Sequence, residues 1–158
     1  MNDFLKLYIE LLEYDRSLKK NGTSLREQDR EKYLKLLNYS VKLIDHVHWQ
    51  QKNDYLTLMK SFVDLKIDGK QFVSEFNKLH GSNQEVVKIL KTDLKQLNTF
   101  ELNPKSFGFT EWTSEIDLAC DEFYPDFDEK DLPDFPFAKN EEDFRNAVAD
   151  IFPQIQKY

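Results

Sequence analysis

Apolar residues return at intervals of three, four and seven along most of this chain, and that period decides what it can fold into. Phe4, Leu5, Tyr8, Leu11, Leu12 and Leu18 make the first such stripe. A helix turns once in about 3.6 residues, so these side chains share a face, whereas a half-buried strand would need alternation. Asn21-Gly22 closes the stripe, because glycine accepts the left-handed conformation of a helix C-terminal cap. Ser24-Leu-Arg-Glu27 has the spacing of a capping box and predicts a second helix, with Tyr33, Leu36, Leu37, Val41, Ile44 and Val47 on its inner side. Asn53-Asp54 opens a third, carrying Tyr55, Leu58, Met59, Phe62 and Val63. Asp68 caps a fourth, in which Phe72, Val73 and Phe76 point inward until His80-Gly81 stops it. Val86, Val87, Ile89, Leu90, Leu94 and Leu97 make a fifth.

The pattern loosens after Asn103-Pro104, which with the residues up to Phe109 reads as a loop. Thr110 is the expected cap of a sixth helix bearing Trp112, Ile116, Ala119 and Phe123. Pro125, Pro133 and Pro136 exclude a long helix between them, since each removes a donor and restricts its predecessor. Asn140 or Lys139 opens the last helix, with Glu141, Glu142 and Asp143 at its positive end. Phe144, Val148, Ile151, Phe152 and Ile155 give that helix an apolar face, and Pro153 kinks or ends it. No strand pattern, repeat or interdomain linker is present. The expected fold is an all-α, single-domain antiparallel helix bundle with an acidic Pro- and Phe-rich loop before the last helix. Residues 1–52 read as an N-terminal helical extension packed on the same core as a domain spanning 53–158. At 158 residues the chain can bury a substantial core, and with 14% aromatics that core leans on Phe and Tyr.

Charge is concentrated in one place. Between Glu111 and Asp143 thirteen Asp and Glu face two Lys, a local balance of −11 in a chain whose total is −7. The remainder is therefore mildly basic. The densest part, CDEFYPDFDEKDLPDFP from Cys120 to Pro136, alternates carboxylates with aromatics. Such a segment repels nucleic acid and anionic membrane and attracts cations or basic proteins. As ordinary structure it is a solvated loop closing the bundle, with Phe123, Phe127, Phe135 and Phe137 docked as anchors. That accounts for the aromatics and leaves the carboxylates unexplained.

Metal and enzyme chemistry find little footing. An EF-hand register started at Asp126 puts Lys130 in a ligand slot, Asp131 at the glycine position and Phe137 where a bidentate Glu belongs. His46 and His48 stand two apart, which on a helix turns them to different sides, and they read as polar surface residues. Motifs for a nucleophile elbow, a zinc protease, a P-loop or a dinucleotide fold are absent, and four glycines are few for phosphate cradles. Cys120 lies beside Asp121 and Glu122, which disfavour a thiolate, so it reads as a small semi-buried core residue. Carboxylate pairs such as Glu115 with Asp117 have no marked pocket. The chain is accordingly read as a non-enzyme without catalytic residues, metal or cofactor. Lys19, Lys20, Arg26 and Arg30 are interleaved with Glu27, Asp29 and Glu31, an ordinary solvated face rather than a nucleic-acid footprint.

Three stretches carry a family resemblance. Tyr55-Leu-Thr-Leu-Met-Lys-Ser-Phe62, followed by Leu65-Lys-Ile-Asp-Gly-Lys-Gln-Phe72 and Phe76, resembles the opening of colicin-like immunity proteins of the colicin D type. Asp121-Glu-Phe-Tyr-Pro-Asp126 is similar to that family's Asp-Ala-Phe/Tyr-Cys-Pro-Asp stretch, with Tyr124 in place of the Cys. Glu141-Glu-Asp-Phe-Arg145 with Val148 resembles its closing helix, and Asp68 replaces a Ser before the fourth helix. The likeness spans residues 53–158. It implies a small helical inhibitor of a nuclease toxin, in the best-known case tRNA-cleaving, whose acidic residues stand where substrate phosphates would lie. Asp121, Asp126, Glu141 and Glu142 carry over from matching positions. Asp128, Glu129, Asp131 and Asp134 join them on charge density alone. The expected partner is a basic protein of the nuclease-toxin class, with no direct nucleic acid, no membrane and a monomeric free state. The alternative is a non-enzymatic interaction or regulatory module, or an orphan protein of a mobile element, that binds another basic protein.

Compartment follows from two features. Cys120 stands alone, which excludes an internal disulfide and suits a reducing environment such as cytoplasm or a plastid stroma. The opening MNDFLKLYIELLEYDRS carries Asp3, Glu10 and Glu13 and no small-residue cleavage site, unlike a secretory signal.

Overall fold

The helical period of the sequence is realised in the computed structural model, which describes residues 3–126, 130, 134 and 136–158. Among them run α1 (Asp3–Lys20), α2 (Leu25–Gln28), α3 (Arg30–Gln50), α4 (Lys52–Val63), α5 (Gly69–Thr92), α6 (Leu94–Asn98), α7 (Phe109–Asp121) and α8 (Glu141–Gln156), with a short 3-10 turn at Pro104–Ser106. The fold is an all-α helix bundle. Among the described residues the β content is a single isolated parallel bridge between Phe123 and Lys139.

Local chemistry sets most of the boundaries. Gly22 takes φ 78° after α1. Asp68 caps α5 by accepting the Gln71 amide at 2.8 Å, and Asn140 caps α8 through the Asp143 amide at 2.8 Å. Glu27 accepts from the Ser24 amide and hydroxyl, both at 3.0 Å, so the capping box forms. The helix it opens lasts one turn, however. Asp29 leaves helical geometry at φ −151° and accepts the Lys32 amide at 3.0 Å, starting α3 afresh. A short aspartate side chain offers the backbone an alternative to the helical ladder, and here it prevails.

Three further expectations change and one narrows. Gly81 does not stop the fourth predicted helix. α5 runs through it, so the fourth and most of the fifth predicted helices are one. A mid-helix glycine costs about 1 kcal/mol, which burial of Phe76, Asn83 and Val87 on either side outweighs. On α3 the buried face is Leu36, Leu43 and Val47, while Leu37 and Val41 are exposed. Two overlapping stripes were available, and the Tyr8–Ser40 hydroxyl bond, 2.9 Å long, belongs with the first. His46 and His48 are buried rather than on the surface. Of the two outcomes expected of Pro153, a kink or an end, the end is excluded: it lies inside α8, which continues to Gln156.

Side chains gather into two clusters. One joins Tyr55, Met59 and Phe62 of α4, Phe72 and Phe76 of α5, Phe109, Ile116, Ala119 and Cys120 of α7, and Phe144, Val148 and Ile155 of α8. The other joins Leu5, Tyr8 and Leu11 of α1 to Leu25, Leu36, Leu43, Val47, Val87, Leu90 and Leu97. α5 supplies both, through its first half to one and its second half to the other. Two buried carboxylates tie helices together at their N-termini. Asp15 of α1 accepts the Leu25 amide of α2 at 3.0 Å. Asp45 of α3, 2% exposed, accepts the Gly108 and Thr110 amides at 2.8 and 3.0 Å and the Thr110 hydroxyl. Thr110 is therefore not the cap of α7, as its sequence position suggested. Gly108 precedes the helix at φ 86°, and the capping carboxylate comes from another helix.

Candidate functional site

The candidate surface is built where α7 hands over to α8. α7 ends at Asp121 with Glu122 as its C-cap. The chain then makes its one bridge: the Lys139 amide donates to the Glu122 carbonyl at 2.7 Å, and the Tyr124 amide to the Lys139 carbonyl at 3.0 Å. The Lys139 ammonium pairs with the Glu122 carboxylate across it. Both ends of the segment between them are thus clamped. Phe123 turns inward, stacking on Phe144 with 4.7 Å between centroids. A Cβ placed on Gly69 would stand 2.5 Å from the Phe123 ring, so α5 must begin with glycine for the ring to seat.

Beyond the clamp Tyr124, Pro125, Asp126, Lys130, Asp134, Pro136 and Phe137 are exposed. Asp121, Glu122, Tyr124, Asp134, Pro136, Phe137 and Ala138 line a cleft of about 230 Å³. Two large aromatics are presented there, Tyr124 at 46% exposure and Phe137 at 74%. Phe137 was expected as a docked anchor. It is among the most exposed apolar side chains of the chain, while Phe123 took the inner position available beside the bridge. Phe127 and Phe135 lie outside the described residues.

Of the carboxylates named from sequence, Asp121 and Asp134 meet at this cleft. Neither has an ion-pair partner among the described residues. Asp126 and Glu142 are exposed and stand outside its lining. Glu141 is drawn into internal structure: it pairs with Arg145, whose guanidinium lies 4.2 Å over the Phe62 ring and donates to the Phe62 carbonyl. The (i, i+4) spacing of Glu141 and Arg145 was a visible signal for that pair. Asp128, Glu129 and Asp131 lie outside the described residues. Sequence reasoning did not assign Glu122, Tyr124 or Phe137 to the surface. The Glu122–Lys139 clamp that places all three joins residues seventeen apart and has no local signature.

The Cys120 thiol is quenched. Burial, with help from Asp117 and Asp121, pushes the Cys120 thiol up to about 12, so it is protonated and unreactive at neutral pH. Among the described residues no three His, Cys, Asp or Glu side chains are placed to hold a metal ion. No helix among them is long and apolar enough to cross a membrane. No family model, curated protein or solved structure matches this chain.

Proposed function

We propose that this chain is an immunity-type inhibitor that binds a basic nuclease toxin domain, of the tRNA-cleaving colicin D kind, through an acidic surface standing in for nucleic-acid phosphates. The observation that carries this reading is the cleft in which Asp121 and Asp134, without an ion-pair partner among the described residues, lie beside exposed Tyr124 and Phe137. An arginine or lysine reaching into it lays its methylenes on the rings and its charge against the carboxylates. Aromatic anchors of this type supply binding energy, and surrounding carboxylates supply steering and specificity. Asp126 and Glu142 extend the field, as do Asp128, Glu129 and Asp131 by their charge. The resemblance over residues 53–158 points to the same partner class. Glu141 contributes less than the resemblance implies, because Arg145 already neutralises it.

The test is protection. The chain is produced with an adjacent-gene nuclease domain, and binding of a catalytically inactive copy of that domain is measured in low and physiological salt. Reversing Asp121, Asp126 and Asp134 to Lys together is expected to weaken binding at least a hundredfold and slow association, with thermal unfolding little changed. A triple variant that protects as well as wild type removes this surface from the reading. Binding of a basic protein that is not a nuclease, lost in the triple variant, favours the interaction-module alternative.

A further inference from the structure

Away from the acidic surface, where α3, α4 and α5 meet, a small polar cluster runs from the interior outward to half-buried His80 and exposed Gln84. His48 is fully buried. Its Nδ1 lies 3.0 Å from the Tyr55 hydroxyl, which also accepts from the Asn83 amide at 3.1 Å. The His48 ring stands edge-on to His80 with 4.8 Å between centroids. The Gln84 side-chain amide is 3.5 Å from His48 Nε2 and 3.4 Å from His80 Nε2. His80 Nδ1 is buried without a hydrogen-bond partner.

With both imidazoles neutral these contacts can be satisfied together: His48 donates from Nδ1 to Tyr55, and the Gln84 amide donates to the two Nε2 atoms. A proton added at His48 Nε2 turns an acceptor into a donor facing another donor, and places a charge on a ring that water does not reach. Asp45 favours the protonated His48 ring, but less than burial and His80 oppose it. Asp45, on the same helix as His48, is committed to Gly108 and Thr110. α4 brings Tyr55 and α5 brings His80, while Asp117 of α7 acts on the Tyr55 phenol.

We propose that His48, packed against His80, is an acid-sensitive latch, which holds α5 against α3 and α4 when its ring is neutral and releases the middle of α5 when it is protonated. Burial, then the neighbouring His80, lowers His48 to about 4. The unfolded chain takes up that proton near 6.5, so the stabilisation is complete above about pH 6.5 and fades as pH falls toward 4. Carboxylates held low, such as Asp64, titrate below this window. His46 is also lowered by burial and shares it, so a His46→Gln background is the control.

The experiment is urea unfolding of the intact chain at pH 7 and pH 5, with imidazole NMR titration and amide hydrogen exchange at both values. The folding equilibrium constant is expected to fall roughly twentyfold between them from His48 alone. Exchange, corrected for its intrinsic pH dependence, should rise in residues 80–92 and around His48 while α8 and its contacts on α4 stay protected. His80→Gln should shrink both effects. Equal loss of protection throughout the chain, a folding constant indifferent to pH in this range, or an unchanged response in His80→Gln would each overturn the latch. If His80→Gln does not fold, the wild-type imidazole titration and the regional exchange pattern decide the matter.

Discussion

Asp45 makes the most demanding prediction about what holds this fold together. Its carboxylate is 2% exposed and receives two amides and a hydroxyl from the start of α7, residues more than sixty positions away. Replacing it with alanine orphans those donors at once. A local N-cap is worth about 1 kcal/mol and each hydrogen bond to a charged group about 1.5–3 kcal/mol. The three bonds share one acceptor group whose own burial was costly, so their sum overstates the loss. Removing one partner from a buried charged contact gives about 3–5 kcal/mol, and we expect Asp45→Ala near the lower end of that range. For a chain of this length that lowers Tm by roughly 6–12 °C. Asp45→Asn keeps one acceptor oxygen but turns an NH₂ toward an amide, and should cost about half as much.

Urea unfolding at pH 7 reads the difference. A double-mutant cycle with Thr110→Val sharpens it: both substitutions delete the same hydroxyl contact, so their costs should sum to less than the two taken separately. Asp45→Ala within 1 kcal/mol of wild type, or full additivity with Thr110→Val, would show that α7 is positioned by apolar packing alone and that the carboxylate is incidental.

Three smaller predictions follow from single positions. Gly81→Ala should stabilise by about 1 kcal/mol, because the residue is mid-helix and an added Cβ meets nothing within 4 Å; a loss in urea unfolding would mean that α5 needs flexibility there. Leu65 occupies the left-handed position of the turn after α4, with φ 62° and 74% exposure, so Leu65→Gly should raise stability by about 1 kcal/mol in thermal unfolding. Phe123→Ala should cost about 2–3 kcal/mol, whereas Phe137→Ala should leave Tm unchanged and weaken partner binding. Equal stability losses for the two phenylalanines would contradict their opposite placements.

Helix type was legible along most of this chain because periodicity and capping are local. Asp68 and Asn140 each reach an amide three residues ahead, and the signal lies within one turn of sequence. Gly81 misled for a physical reason: its penalty is also local, whereas the packing of Phe76 and Val87 that outweighs it depends on α3 and α4. The two histidines failed in the same way. Their polarity suggested solvent, but His46 accepts the Asn103 amide at 2.9 Å and His48 meets Tyr55, partners that only the assembled bundle supplies. At the candidate site, the sequence singled out Asp121, Asp126 and Glu142 by the resemblance and Asp134 by charge density, and all four are exposed. It could not say which of them converge, because convergence depends on the Phe123–Lys139 bridge.

That bridge also explains how one segment divides between core and exposed surface. Phe123 faces in, on Gly69 and Phe144, and belongs energetically to the aromatic cluster of α4, α5 and α8. One residue later the chain is tied back by Lys139, and Tyr124 faces out. Strand-like alternation across a single clamped position sends successive side chains to opposite sides. Core and surface can then vary independently: substitutions at Tyr124, Asp134 or Phe137 change what the cleft presents without opening a cavity beneath it. The proposed surface therefore makes a stronger claim than acidity alone. Partner affinity should respond to residues on the outer side of the clamp while folding stability responds to those on the inner side, with Glu122 and Lys139 affecting both.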